Sequence, residues 1–259
     1  MPTETEKIAS RDNQRLKYVR RVRDGREAER VFIEGIRLAE EALVSNLSIV
    51  EAFVSIGFGD NKRAENILRA LGERSVPVAE VSSKAFESMV DTANSQGIVL
   101  IAVRPGSDLT MLDVRSTSLP QLPVIIFLYG VNNPSNLGAV LRTTEAADAL
   151  GAMISPDSAD PFSPKALRGS MGSAFRLPVW EGVSLDEALS WSSDNEFEAV
   201  AVDPKAAISI YEFDWHSKTM LILGSEARGL NDEESERIGK SVSIPKSTAV
   251  EGRKLAVAF

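Results

Sequence analysis

The chain has 259 residues, 43% of them hydrophobic, and a formal net charge of −8, which suggests one large or two modest globular domains. It has no cysteine and a single histidine, His216, which excludes disulfides, a cysteine nucleophile and a multi-histidine metal site. All apolar runs are shorter than the roughly 20 residues that span a membrane. The N-terminus is polar and lacks the apolar core of a signal peptide. We therefore expect a cytoplasmic protein that binds neither a metal nor a membrane.

The basic residues are concentrated near the N-terminus despite the acidic net charge. Residues 7–26 hold eight basic and two acidic side chains. They predict a charged helix over 10–30 with a narrow apolar stripe of Leu16, Val19 and Val22. Such a segment indicates a phosphate-binding face, although a solvated, salt-bridged helix explains the charge equally well. The candidate phosphate contacts are Arg11, Arg15, Lys17, Arg20 and Arg21.

Strands and helices alternate through the rest of the first 105 residues. The patterns predict strands over 31–33, 49–56, 76–81 and 97–103. They predict helices over 35–45, 61–71 and 82–91. This alternation is typical of an α/β layer structure, so we assign 1–105 to one domain. Residues 106–122, rich in Ser, Thr, Pro and Asp, are predicted to be a linker.

The second domain, 123–259, begins with the apolar run Val124–Tyr129. Such a run predicts a strand buried on both faces, as in a parallel sheet. Further strands are predicted over 152–155, 197–202, 219–223 and 241–244. Helices are predicted over 136–149, 164–171, 185–193 and 232–239. The whole is a second α/β layer structure.

A first motif follows the apolar strand and reads Asn133-Pro-Ser-Asn136-Leu-Gly138-Ala-Val-Leu-Arg142. Asn136 is predicted to cap the helix with its amide oxygen. Helical spacing puts one set of residues on the buried face: Leu137, Val140, Leu141 and Thr144. Arg142 points away from that face, where an ion pair with Glu145 would be its ordinary role.

Two further motifs follow in the same half. Leu223-Gly224-Ser-Glu226-Ala-Arg-Gly229-Leu230 ends a buried strand, at the edge where ligands bind in open α/β sheets. Asn231 and Glu234 then predict a capping box. The third motif is Ile244-Pro245 followed by Val250-Glu-Gly252-Arg253-Lys254-Leu-Ala-Val-Ala258.

A block between the first two motifs, Asp160-Pro-Phe-Ser163-Pro164-Lys165-Ala-Leu-Arg168, predicts a helix that starts at Pro164. Lys165 and Arg168 share a face of this helix. This face could bind phosphate, or the two side chains could simply be solvated.

The three motifs, in this order, resemble the SpoU/TrmH family of RNA ribose methyltransferases in the SPOUT superfamily. In the first domain Phe32-Ile-Glu34-Gly35 and Gln96-Gly97 resemble the RNA-gripping domain of many SpoU proteins, which looks like certain large-subunit ribosomal proteins. The resemblance implies an N-terminal α/β sandwich and a C-terminal α/β domain with a deep trefoil knot. It also implies a homodimer that acts on rRNA or tRNA.

The resemblance further implies S-adenosylmethionine as methyl donor and a ribose 2′-hydroxyl as acceptor. Asn136, Arg142 and Glu226 would form the catalytic group. The cofactor would contact Leu223, Gly224, Ile244 and Arg253. Lys165 and Arg168 would join the basic N-terminal residues in binding RNA. Because a guanidinium is a poor base, the expected role of Arg142 is to stabilise the developing alkoxide.

The third motif also departs from the family. Gly252-Arg253-Lys254 replaces the usual Ser-Leu-Asn, so a charge replaces the leucine that packs on adenine. The chain ends at Phe259, about two turns into the helix that closes the knot and the dimer interface in the family. One alternative is therefore a catalytically impaired RNA-binding protein of the same fold. A small-metabolite α/β enzyme is a third possibility, which the basic segment disfavours.

Overall fold

A computed structural model of the chain describes residues 6–45, 47–93, 95–106, 123–225 and 229–245. These residues form two compact α/β units. The first comprises the described residues up to Gly106 together with Phe162–Phe175, and the second comprises the others. Phe162–Phe175 thus groups with the first unit, although the sequence predicts one domain over 123–259. The predicted linker, apart from Gly106, lies outside the described residues.

The first unit is built on a five-stranded mixed sheet with the order β1-β4-β3-β5-β2. β1 and β3 pair with β4 in parallel, and β5 runs antiparallel to both β3 and β2. Its strands are β1 (Glu6–Ile8), β2 (Arg30–Glu34), β3 (Ile49–Ser55), β4 (Val78–Val81) and β5 (Ile98–Val103). Its helices are α1 (Gln14–Arg23), α2 (Ile36–Val44), α3 (Lys62–Glu73), α4 (Ser83–Glu87) and, from the later segment, α6 (Pro164–Ser170).

Helix α1 packs on this sheet through the predicted apolar stripe. Leu16, Val19 and Val22 are all buried, in one cluster with Phe53 and Phe86. The helix is shorter than the sequence predicts, because the Asn13 side chain caps its start and residues 24–25 end it, with Gly25 at a φ of +71°.

The second unit is built on a six-stranded parallel sheet with the order β11-β9-β10-β6-β7-β8. Its strands are β6 (Val124–Tyr129), β7 (Gly151–Ile154), β8 (Val179–Glu181), β9 (Glu198–Val202), β10 (Thr219–Gly224) and β11 (Ser241–Val242). Its helices are α5 (Pro134–Ala146), α7 (Leu185–Asp194) and α8 (Asp232–Ile238). Ile125, Ile126, Phe127 and Leu128 are buried, which confirms the prediction of a strand covered on both faces.

None of the described helices is long and apolar enough to cross a membrane. The described part of the chain also contains no cluster of three or more acidic or histidine side chains suited to a metal ion. His216 is exposed and bonded to Asp214.

Candidate active site and RNA-contact face

The first two motifs meet at the centre of the second sheet. β6 and β10 are neighbours in parallel register, with Leu223 opposite Leu128 and Gly224 opposite Tyr129. From β6 the chain continues through α5 to β7 on one side, whereas from β10 it continues through α8 towards β11 on the other. The order of strands therefore reverses between β6 and β10, and the crevice at such a reversal is where open α/β sheets bind ligands.

The turn after β6 is held by hydroxyl groups from the segment after β7. The backbone N–H of Gly130 donates to Ser155 Oγ at 2.9 Å, and that of Val131 donates to Ser158 Oγ at 3.1 Å. Ser158 Oγ in turn donates to the Leu128 carbonyl at 3.1 Å. These bonds fix the start of the first motif. The serines were visible in the sequence, but their spacing alone does not show which backbone groups they satisfy.

Position 130 requires a glycine. Its φ is +69°, where side chains are strained, and an added Cβ would lie 3.3 Å from Asp157 Oδ2 and 3.4 Å from Ser225 Cβ. The turn after β6 and the start of the second motif therefore approach closely at the sheet edge.

The N-cap of helix α5 lies three residues before the predicted cap, Asn136. Asn133 is the N-cap and accepts from the Ser135 N–H at 3.0 Å, with Pro134 in the first helical position. Asn136 therefore lies in the first turn of the helix, half-buried, and the prediction that it caps the helix is wrong. The structure has Asn133 in that role because Pro134, which has no N–H to be capped, fits the first turn.

The two faces of α5 agree with the sequence. The predicted apolar face is confirmed, because Leu137, Val140, Leu141 and Thr144 are all buried. Arg142 is exposed on the same helix. Glu145, the ion-pair partner considered for Arg142, accepts from Arg176 at 2.5 and 2.9 Å.

Two described residues of the second motif, Ser225 and Gly229, meet at the end of β10. The Gly229 N–H donates to the Ser225 carbonyl at 2.7 Å, and Gly229 has a φ of +66°. A Cβ on Gly224 would lie 3.2 Å from the Gly229 carbonyl carbon, so the glycine allows Gly229 to approach the end of the strand. Glu226 belongs to 226–228, outside the described residues.

Helix α8 is tied to the same edge. Asn231 and Glu234 form the predicted capping box, which is confirmed. The Tyr129 hydroxyl donates to Glu234 Oε1 at 2.7 Å. The end of β6 and the start of α8 are therefore linked by a side-chain bond that no local pattern indicates.

The third motif begins at the same edge of the sheet, two strands away from β10. β11 pairs with β9. The next residue, Ser243, forms backbone hydrogen bonds with Ile208 and Ile210 of the segment that follows β9. Ile244 follows, half-buried. Arg253 and its neighbours fall within 246–259, outside the described residues.

The described carboxylates with displaced pKa values are explained by structural bonds. A side-chain hydrogen bond from Arg63 lowers the pKa of Glu40, and one from Lys240 lowers the pKa of Glu198. The hydroxyl and N–H of Ser184 lower the pKa of Glu187 in the capping box of α7. Ion pairs and caps displace pKa values without catalysis, so these shifts do not mark a catalytic group.

The basic residues of α1 divide into paired and exposed side chains. Arg15 bonds to Glu6 and Glu51 and lies over the Phe53 ring, 5.5 Å from its centroid. Arg21 pairs with Glu27 at 2.5 Å. Much of the segment is therefore salt-bridged, which agrees with the interpretation of its charge as a solvated, salt-bridged helix.

Other basic side chains of this segment keep more freedom. Arg20 donates to Ser88 Oγ at 3.1 Å and to the Arg11 carbonyl at 2.9 Å, both uncharged acceptors. Arg11 and Lys17 are exposed and form no ion pair within the described part of the chain. They are the better candidates for phosphate contact.

The last two RNA candidates lie on α6 in the first unit. Lys165 and Arg168 are both exposed and three residues apart, so they share a helix face as predicted. Arg168 pairs with Asp91 at 2.8 Å, across the same unit.

This division predicts different outcomes for two variants of the basic N-terminal segment. Arg15→Ala should lower the free energy of unfolding by about 1–2 kcal/mol, because it leaves the half-buried Glu51 without its partner. Arg11→Ala combined with Lys17→Ala should leave stability nearly unchanged. It should instead flatten the dependence of RNA affinity on salt by about one to two units in slope, since fewer counterions are released. Denaturant titration and RNA binding across a salt series measure both effects. Equal salt slopes for wild type and double variant would mean that this face is only solvated.

Comparisons with known proteins cover both units. Residues 123–259 match the SpoU rRNA Methylase family, and residues 32–106 match the domain described as RNA 2′-O ribose methyltransferase substrate binding. An uncharacterized tRNA/rRNA methyltransferase of Synechocystis sp. is 30% identical over 255 residues, which cover 97% of this chain and 89% of that protein.

Two solved structures are similar along almost the whole chain. The crystal structure of an RNA 2′-O ribose methyltransferase is 27% identical, with a TM-score of 0.78, over 97% of this chain and 94% of that one. An AdoMet-bound rRNA methyltransferase from Sinorhizobium meliloti is 24% identical, with a TM-score of 0.81, over 98% of this chain and 94% of that one. At this identity the second likeness shows the fold alone.

Proposed function

The chain belongs to the SpoU rRNA Methylase family of RNA methyltransferases, and from that premise we propose that it transfers a methyl group from S-adenosylmethionine to a ribose 2′-hydroxyl of rRNA or tRNA. The observation that carries the proposal is the meeting of the first two motifs on neighbouring strands, β6 and β10, where the strand order reverses. A crevice at this place is suited to a nucleoside cofactor.

The residues at the edge fit such a cofactor. At Gly130 and Gly224 the missing side chains let Asp157, Ser225 and Gly229 pack against the turn and the strand end, so the backbone at this edge is held in place for a ligand. The backbone of Leu223, Gly224 and Ile244 would hold the nucleoside, with Arg253 in the position that packs on the adenine. Bound S-adenosylmethionine supplies a methyl group already activated on a sulfonium.

Arg142 and Asn136 would act on the RNA side of the reaction. Both follow the turn after β6 that is fixed by Ser155 and Ser158, so their helix has a defined position at the crevice. The Arg142 guanidinium would hold the target phosphate and stabilise the alkoxide that forms as the 2′-hydroxyl loses its proton, with the phosphate relaying that proton. Asn136 would orient the ribose, and Glu226 would order the loop after β10.

RNA would be gripped by the first unit. Arg11, Lys17 and Arg20 on or beside α1 are its strongest candidates, followed by Lys165 and Arg168 on α6. We also propose that the second unit is knotted and that the chain works as a homodimer, in which Arg142 serves the partner's cofactor. Sedimentation velocity of the full chain tests the dimer.

The direct test is methyl transfer. The full chain is incubated with isotopically labelled S-adenosylmethionine and unmodified rRNA or tRNA, and the RNA is digested to nucleosides for mass spectrometry. Labelled 2′-O-methylnucleosides from one of the two RNA classes would support the proposal and name the class. Label on a base, or no label with either RNA despite cofactor binding, would contradict it.

The altered third motif leads to a separate prediction. Restoring Ser-Leu-Asn by Gly252→Ser, Arg253→Leu and Lys254→Asn should tighten S-adenosylmethionine binding about ten-fold or more. The reason is one regained apolar contact of about 1.5–3 kcal/mol and removal of a positive charge near the sulfonium. Calorimetric titration measures the change. S-adenosylhomocysteine, which lacks the sulfonium charge, should gain less than S-adenosylmethionine. If the unaltered chain already binds as tightly as the restored one, Arg253 does not weaken the site.

A further inference from the structure

An open hollow of about 410 Å³ lies in the first unit. It is formed where β3 and β4 end and where the chain passes from α4 to β5. Its lining residues include Val90, the exposed Glu87 and Phe86, which is only 3% exposed. Four residues with hydroxyl groups complete the lining: Ser55, Ser83, Thr92 and Ser95.

One wall of the hollow is held by a buried charge. Glu34 is only 8% exposed, and its carboxylate accepts from the Asp91 N–H at 2.7 Å, from the Thr92 N–H at 3.3 Å and from the Thr92 hydroxyl. Burying a carboxylate is costly unless hydrogen bonds satisfy it. Here these bonds all go to the segment that carries Thr92 into the hollow, so this wall is fixed before any ligand arrives.

The other end of the same segment is equally constrained. Gln96 Oε1 accepts from the Ile36 N–H at 2.8 Å, at the start of α2. Gly97 has a φ of +78°, and a Cβ there would lie 2.5 Å from Ser55 Oγ. The Phe32–Gly35 and Gln96–Gly97 stretches that the sequence analysis singled out therefore both build this wall. A preformed wall reduces the ordering cost of binding.

The lining selects the chemistry of a ligand. The described lining residues include no basic side chain, and the Glu87 carboxylate would repel a phosphate. A carboxylate accepts from amino groups, and hydroxyls both donate and accept. Together with the apolar surface of the half-buried Val90, this set fits an uncharged heterocycle with an exocyclic amino group.

Positive charge borders the hollow without entering it. Arg20 donates to Ser88 Oγ and Arg23 donates to the Val90 carbonyl, each at 3.1 Å. Arg23 is also paired with Asp24 at 2.8 Å, whereas Arg20 bonds only to uncharged acceptors, so a nucleotide with its base in the hollow would place its phosphate beside Arg20. Proteins read RNA sequence mainly from such unstacked bases.

We propose that this hollow receives one unpaired base of the RNA substrate, and that Glu87 selects a base with an amino group, such as cytosine, over uracil. The proposal rests on the proposed function, because it takes RNA to be the substrate. It adds a sequence-reading position in the first unit, distinct from the site of methyl transfer.

The test compares octacytidylate and octauridylate, each with a fluorescent label, by anisotropy at one salt concentration with the full chain. The wild-type chain should bind octacytidylate about ten-fold more tightly, since uracil has no amino group for the carboxylate. Glu87→Gln should bring the ratio of the two affinities close to one, because an amide both donates and accepts. Glu73→Gln is the matched control, since it removes the same charge from an exposed position on α3 and should keep the wild-type ratio.

A second variant blocks the hollow. Ala93→Trp at the exposed rim should weaken octacytidylate binding, with unchanged thermal stability and S-adenosylmethionine affinity. A wild-type ratio near one, or equal ratios for Glu87→Gln and Glu73→Gln, would overturn the proposal even if methyl transfer is intact. Conversely, a Glu87-dependent ratio in a chain that transfers no methyl group would support the hollow and contradict the proposed function.

Discussion

Replacing Arg142 with alanine is expected to lower kcat for methyl transfer by about 100- to 1,000-fold, the usual loss when a group that stabilises a developing oxyanion is removed. Arg142 is exposed on α5, away from the face formed by Leu137, Val140 and Leu141. Its removal opens no cavity, so the free energy of unfolding should change by no more than about 0.5 kcal/mol. Cofactor affinity should also be nearly unchanged, since the role proposed for Arg142 lies on the RNA side.

Single-turnover methylation, thermal unfolding and cofactor titration together check this expectation. Arg237→Ala is the control: it removes an arginine from α8 that pairs with Asp186, and should leave catalysis intact. Arg142→Lys should recover only part of the rate, because an ammonium keeps the charge but lacks the planar fork that fits a phosphate. A collapsed thermal transition in Arg142→Ala would instead identify a structural role and remove the residue from the catalytic proposal.

Gly224→Val is expected to weaken S-adenosylmethionine binding by about 100-fold, or about 2.7 kcal/mol. Gly224 is the last residue of β10, where valine is favourable for the backbone. The obstacle is steric, because even a Cβ would lie 3.2 Å from the Gly229 carbonyl carbon and 3.5 Å from its Cα. Gly229 must then move away from the end of the strand, which displaces the backbone proposed to hold the cofactor.

The control for this variant is Gly72→Val near the end of α3, where an added Cβ meets nothing within 4 Å. It should leave stability unchanged or raise it by a few tenths of a kcal/mol, because valine is a slightly better helix former than glycine, and cofactor affinity should be full. Calorimetric titration and thermal unfolding are measured for both variants. Wild-type affinity in Gly224→Val would show that the cofactor does not depend on this strand end, and Gly224 would leave the proposed site.

Local chemistry was enough to predict several elements of this protein. The apolar run Val124–Tyr129 is a buried strand, because only a strand covered on both faces tolerates such a run. The stripe of Leu16, Val19 and Val22 on α1 lies in the core, as helical periodicity predicts. Asn231 and Glu234 form the predicted capping box of α8, because capping depends on residues only a few positions apart. The two short strands β1 and β8 were not predicted. Each has three residues and is defined by its partner strand rather than by its own pattern.

Motifs, periodicity and turn residues act over a few residues, so the family, the α/β class and the candidate residues can be predicted from the chain alone. Which candidates lie together depends on the three-dimensional fold. It made β6 and β10 neighbours, fixed the turn after β6 through Ser155 and Ser158, and paired Arg15 with Glu6 and Glu51. It also brought Ser55 beside the 83–97 segment to form the hollow around Glu87. Sheet pairing, ion pairs and cavities depend on distances between residues that are not neighbours in the chain, and no local pattern records these distances.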